Sequence, residues 1–107
     1  MRKSALYLCV TLLVTISAPG RPAVKTPDPE PVKIDNFNFS PATLTVQVGA
    51  TVTWINQDDV PHNVVEVDKK FKSGILDTGD RFTYTFKTAG AYDYFCSIHP
   101  HMTGKVI

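Results

Sequence analysis

"AYDYFCSIHPHM", Ala91 to Met102, starts in one pattern and ends in another. Tyr92, Tyr94 and Cys96 alternate with Ala91, Asp93 and Phe95. A period of two places every second side chain on one face of a strand, so the thiol shares its face with two tyrosines. Beyond Cys96 the alternation stops, and a loop follows that carries Ile98, His99, Pro100, His101 and Met102.

The same period recurs through the chain after Pro31. "TLTVQV" puts Leu44, Val46 and Val48 together, "TVTWIN" puts Val52, Trp54 and Asn56 together, and "RFTYTF" aligns Phe82, Tyr84 and Phe86. Valine, threonine and aromatic residues dominate these runs, as a pleated, half-buried surface favours. Turn signals separate them at Ser40-Pro41, Gly49-Ala50, Asp58-Asp59, Thr78-Gly79-Asp80 and Ala89-Gly90. Strands are predicted over 32–39, 43–48, 51–57, 63–67, 81–86, 91–96 and 103–107, with a short one near 71–76. In the first, Val32 and Ile34 have one parity and Phe37 and Phe39 the other, so a bulge near Asp35-Asn36 is expected. The fold class is all-β, a two-sheet Greek-key sandwich of seven to eight strands. Trp54 reads as a core aromatic.

Residues 1–20, "MRKSALYLCVTLLVTISAPG", have the build of an export signal: Arg2 and Lys3, an apolar run to Ile16, then small residues. That run is short for a membrane span. Residues 21–31 hold four prolines and alternating charge and read as an extended tether, leaving 32–107 as the domain. Without the signal, nine basic residues face ten acidic ones, a balance that offers nothing to nucleic acid or an anionic membrane. Cys9 leaves with the signal. Cys96 then stands alone in an export compartment, where a thiol needs deep burial or a metal.

Downstream of residue 20 the chain has three histidines (His62, His99, His101), one cysteine and one methionine. Singly each has an ordinary reading: Cys96 and Met102 as core, His62 as a polar loop residue. Their spacing changes that. Cys-x-x-His-x-x-Met at a strand end lets three side chains turn toward one point, and a sandwich can bring the turn "VPHN" to the same end. Two imidazoles and a thiolate with a weak axial thioether form the donor set of a blue-copper electron-transfer site. His101 directly precedes Met102, so those two would struggle to converge, and spacing favours His99.

At these residues the chain resembles the cupredoxin (blue copper) family, most of all its short-loop, amicyanin- and plastocyanin-type members. The resemblance spans nearly all of 32–107 and rests on "TVTWIN", "PHNV", "FTYTF", "AGAYDYFC" and "CSIHPHMTGKVI". It implies one copper ion cycling between Cu(I) and Cu(II), with His62, Cys96 and His99 as strong ligands and Met102 as the axial one. Asn63 would lock the two ligand loops together and supply an amide hydrogen bond toward the thiolate. The family reading is a one-electron carrier rather than an enzyme: an exported, periplasmic monomer exchanging electrons with a redox protein such as a c-type cytochrome or a dehydrogenase. No nucleic acid and no stable membrane insertion after signal removal are expected.

Two positions depart from the short-loop pattern. His101 stands where relatives tend to carry an apolar residue. Ile98 replaces a proline and so brings a backbone N–H that could point at the Cys96 sulfur. Four other readings compete. A periplasmic copper buffer or delivery protein would favour exposed Met- and His-rich surfaces. Zinc would prefer another Cys, His or water to a thioether. Hydrolysis lacks a credible Ser-His-acid set. A sandwich without a cofactor leaves the donor clustering unexplained.

Overall fold

The computed structural model describes residues 27–107, so the export-signal expectation and the first part of the tether lie outside the described residues. Residues 27–31 have no regular structure, but Asp28 Oδ1 accepts the Thr51 N–H at 2.9 Å and ties this segment to the sheet. Eight strands follow, and no helix occurs among the described residues. They are β1 (Val32–Asp35), β2 (Asn38–Ser40), β3 (Thr43–Leu44), β4 (Thr51–Asn56), β5 (Val65–Glu66), β6 (Arg81–Thr85), β7 (Tyr92–Phe95) and β8 (Thr103–Val106). One sheet has the order β2-β1-β4-β6, the other β3-β8-β7-β5. Each contains one parallel pair, β1 with β4 and β3 with β8, so the expected two-sheet β-sandwich is present with mixed sheets.

The alternation read from sequence is the alternation of burial in β1, β4 and β7, whereas Val48, expected on one face with Leu44 and Val46, is exposed. Val52, Trp54 and Asn56 of β4 point inward, as do Val32 and Ile34 of β1 and Tyr92 and Tyr94 of β7. Cys96 continues the β7 face and is fully buried. Trp54 is a core residue, with its ring tilted against Phe71 and Phe82 and edge-on to Tyr94. Phe71, flanked in sequence by exposed Lys70 and Lys72, is itself buried in this aromatic core. Losing an aromatic of this burial costs about 3–5 kcal/mol, so the rings between the sheets are a major source of cohesion.

Three expectations change. The first predicted strand is not one bulged strand but a hairpin. Asp35 pairs with Asn38 across a two-residue turn, in which Asn36 (φ 52°) and Phe37 (φ 59°) both have positive φ. Positive φ at both central positions is the mark of a type I′ turn, whose twist suits a hairpin. This explains the parity switch: Phe39 returns to the core as Phe37 stays half-exposed. Asparagine tolerates the left-handed region, whereas a bulky residue there costs roughly 1–2 kcal/mol. The turn is held from outside, because the Phe37 N–H donates to Asp58 Oδ2 at 3.1 Å.

The predicted strands near 63–67 and 71–76 become an irregular ladder. Only Val65–Glu66 is a regular strand, and isolated bridges join His62 to Leu76 and Val65 to Lys72. The buried Glu66 carboxylate turns the loop beyond it by accepting the N–H groups of Asp68 (2.7 Å) and Lys70 (3.0 Å). Likewise β3 stops at Leu44, although Val46 still donates to the Ile107 carbonyl at 2.9 Å.

Tyr94 on β7 faces Gly104 on β8, and the phenol ring lies across the glycine. A Cβ at Gly104 would sit 2.3 Å from the ring's Cζ, so the site is glycine because of close approach rather than backbone angle. Burial pushes the Tyr94 phenol up to about 12, as suits a ring sealed between sheets. Gly104→Ala is expected to lower stability by about 1–3 kcal/mol in denaturant unfolding. A variant as stable as the parent would show that the ring can move aside freely.

Candidate metal centre

His62 lies in the connection between β4 and β5, held by paired backbone bonds with Leu76: its N–H donates at 3.1 Å and its carbonyl accepts at 2.7 Å. Its ring is fully buried, and a buried imidazole needs partners for both nitrogens. Nε2 sits 2.9 Å from Asp58 Oδ2. The His62 hydrogen bond is the chief reason the Asp58 carboxyl lies below its ordinary value of 3.8, with the Phe37 N–H adding to it and burial opposing. An ionised carboxylate only accepts, so Nε2 carries the proton. Nδ1 is therefore the nitrogen with a free lone pair, and it faces Cys96 Sγ at 3.8 Å.

Asp58 is itself held. Its N–H donates to Asn56 Oδ1 at 2.9 Å, and its carbonyl accepts the Thr78 hydroxyl at 2.6 Å. The Asn56 amide also donates to the Val60 carbonyl (2.9 Å) and the Leu76 carbonyl (2.8 Å). An asparagine on the inward face of β4 thus ties together both segments that carry His62. Neither Asn56 nor Asp58 was singled out from sequence as part of the site. An acidic residue four positions before a candidate ligand histidine is the only local signal that could have pointed to Asp58.

The second segment leaves β7 at Phe95 and folds back at once. Cys96 N–H donates to the Met102 carbonyl (3.0 Å), His99 N–H to the Cys96 carbonyl (3.1 Å) and Met102 N–H to the His99 carbonyl (2.8 Å). This tight loop turns His99 inward, with Nδ1 at 3.8 Å from Cys96 Sγ. Met102 is buried, His99 half-buried and His101 exposed, so the two histidines differ as their spacing suggested. Met102 lines one shallow surface depression with Phe37, Ile98, His99, Pro100 and His101.

Asn63 joins the two segments across 34 residues. Its side chain donates to Ser97 Oγ and accepts the Ser97 N–H, both at 2.8 Å. Its backbone N–H approaches Cys96 Sγ at 3.5 Å. The sulfur's backbone donor is Asn63 and not Ile98, because the reciprocal Asn63–Ser97 bonds set the loop with Asn63 over the thiol. Ile98 is exposed instead.

The donor atoms of His62, Cys96 and His99 all lie within 4.8 Å of one another, and the only cysteine among the described residues is free. Bonds of about 2.0–2.3 Å from imidazole and thiolate to a first-row metal ion place such donors roughly 4 Å apart. The set fits a metal of that size, and its mixture of soft sulfur and borderline nitrogen fits copper. Phe37 closes the site, edge-on to His62 (centroids 5.5 Å, 89°) and to His99 (4.9 Å, 84°).

Comparison with known proteins agrees with this geometry. The model of the family described as copper binding proteins, plastocyanin/azurin family, matches residues 30–107. Amicyanin of Paracoccus versutus is 34% identical over 101 residues, 90% of this chain and 76% of that protein. Amicyanin of Paracoccus denitrificans is 40% identical over 81 residues, 71% of this chain and 62% of that protein. Among solved structures, a purple cupredoxin from Nitrosopumilus maritimus superposes with a TM-score of 0.69 at 40% identity, covering 71% of this chain and 95% of that one. A reduced amicyanin variant gives 0.69 at 39%, covering 72% and 78%. With the family model spanning the whole sandwich and the donor cluster inside it, this chain belongs to the plastocyanin/azurin family of copper binding proteins.

Proposed function

We propose that the chain is a one-electron carrier built around a single type 1 copper, which His62 Nδ1, Cys96 Sγ and His99 Nδ1 would hold together with the Met102 thioether as a weaker fourth donor. The observation that carries this reading is the buried, ready-made cluster of two imidazole nitrogens and one thiol. Bound there, copper would supply a Cu(I)/Cu(II) couple and, when oxidised, an intense visible thiolate charge-transfer band.

The protein's own residues keep that set fixed. Asp58 holds the tautomer that frees His62 Nδ1. Asn63 and Ser97 stop the two loops from parting, and the Asn63 N–H draws charge from the sulfur. Pro61 and Pro100 stiffen the backbone next to two donors. A donor set that moves little between charge states needs little reorganisation. His99 is the least buried of the three donors, so its edge is the way in and out for an electron. Ile98, Pro100 and His101 surround it, a small footprint of the kind transient redox encounters use. A copper store would instead offer exposed, exchangeable donors, whereas Cys96, His62 and Met102 are all buried. We assign residues 1–20 to export and 21–31 to a tether, placing the carrier in the periplasm as a monomer. A c-type cytochrome or a dehydrogenase would be its partner there.

Three measurements test this. The mature chain loaded with copper(II) should be intensely coloured and bleach reversibly on one-electron reduction, and Cys96→Ser should remove the colour. A colourless loaded parent would falsify the assignment. Met102→Leu should keep the band and raise the potential by on the order of 60 mV, a tenfold change in the one-electron equilibrium. Asp58→Asn probes the metal-free fold. The folded carboxyl titrates below 3.8, so its stabilisation is present above that pH and lost as pH falls through the lower folded value. The parent should exceed the variant by about 1–3 kcal/mol near pH 6, with the gap closing as pH falls below 3.8 in urea unfolding. A gap independent of pH would show that the carboxylate charge does not matter.

A further inference from the structure

The hairpin tip at Asn36-Phe37 breaks two local rules at once. Phe37 occupies a positive φ that suits glycine, and its ring is 46% exposed when the other phenylalanine of the hairpin is buried. A sequence that keeps an apolar ring at a strained, solvent-facing turn signals a functional position. What the ring touches gives the reason. It stands edge-on to both imidazoles, nearly perpendicular to each, while those two rings lie 5.0 Å apart and tilted by 58°. Its N–H shares Asp58 Oδ2 with His62 Nε2. One residue therefore contacts the His62 ring directly, holds its carboxylate partner through the main chain, and caps the less buried ring of His99.

From this arrangement we infer that Phe37 is a positioning residue: its ring fixes the two imidazoles in donor orientation before any metal arrives. His99 needs this more than His62. Asp58 and the paired Leu76 bonds anchor His62, whereas the polar neighbour of the His99 ring is the Cys96 sulfur at 3.8 Å. Without the aromatic edge against it, the His99 ring could turn toward solvent at little cost. The part of this inference that concerns copper rests on the function proposed above; the part that concerns ring order does not.

Phe37→Gly separates the ring from the hairpin. Asn-Gly is a preferred type I′ pair, and glycine keeps the N–H that Asp58 accepts, so the turn has every reason to persist. Imidazole ¹⁵N relaxation in the metal-free mature chain should show His99 ordered in the parent, mobile in Phe37→Gly, and ordered again in Phe37→Tyr, which restores the edge. Copper(I) affinity, measured by competition with a chelator, should fall about tenfold in the glycine variant and recover with tyrosine. Equal His99 order in parent and glycine variant would overturn the inference, as would mobility that tyrosine fails to rescue. If the parent binds no copper, the copper reading fails, and the relaxation series still decides whether Phe37 orders the rings.

Discussion

One carboxylate oxygen organises this protein's working end. Asp58 Oδ2 accepts the Nε2–H of a fully buried histidine and the N–H of a strained turn residue from another hairpin. The first bond decides which nitrogen of His62 is available, since a proton held on Nε2 leaves the lone pair on Nδ1. The second holds the β1–β2 hairpin tip against the donors. Both bonds are stronger to a charged carboxylate, and they favour that form against the opposing effect of burial.

The sandwich makes such precision possible. Cys96 extends the inward face of β7 from one sheet, and the His62 segment hangs from β4 of the other through Asn56. An aromatic core with Trp54 at its centre separates the sheets, so neither strand end can drift relative to its partner. The Asn63–Ser97 bonds then fasten the two segments over the last few ångströms. Rigidity at the site is thus carried from the core outward rather than made locally. Where local preference is broken, as at Phe37, the break lies against the donors.

Burial divides the site into an interior set and a surface set. His62, Cys96 and Met102 are buried and answer to the interior. Ile98, Pro100 and His101 are exposed and answer to whatever approaches, with His99 standing between the two groups. A substitution at the lip need not disturb the cluster beneath it.

Sequence alone was sufficient for the β period, the inward faces of β4 and β7, the aromatic core and the His62, Cys96 and His99 side chains that the fold gathers. Each of these follows from alternation or from rare residue types at short spacing, both of which are local. The register of the first hairpin was not legible that way, because nothing local makes phenylalanine a left-handed turn residue; the bond from Asp58, 21 residues away, holds it there. The roles of Asp58 and Asn56 were hidden for the same reason, as a turn aspartate and an inward asparagine look ordinary until folding shows what they bond. Sequence offered both Asn63 and Ile98 as donors to the Cys96 sulfur, and the docking of loops 34 residues apart selects Asn63. The chain's local chemistry names the donors, whereas the long-range contacts of the folded sandwich set the orientation of each ring and the partner of each proton.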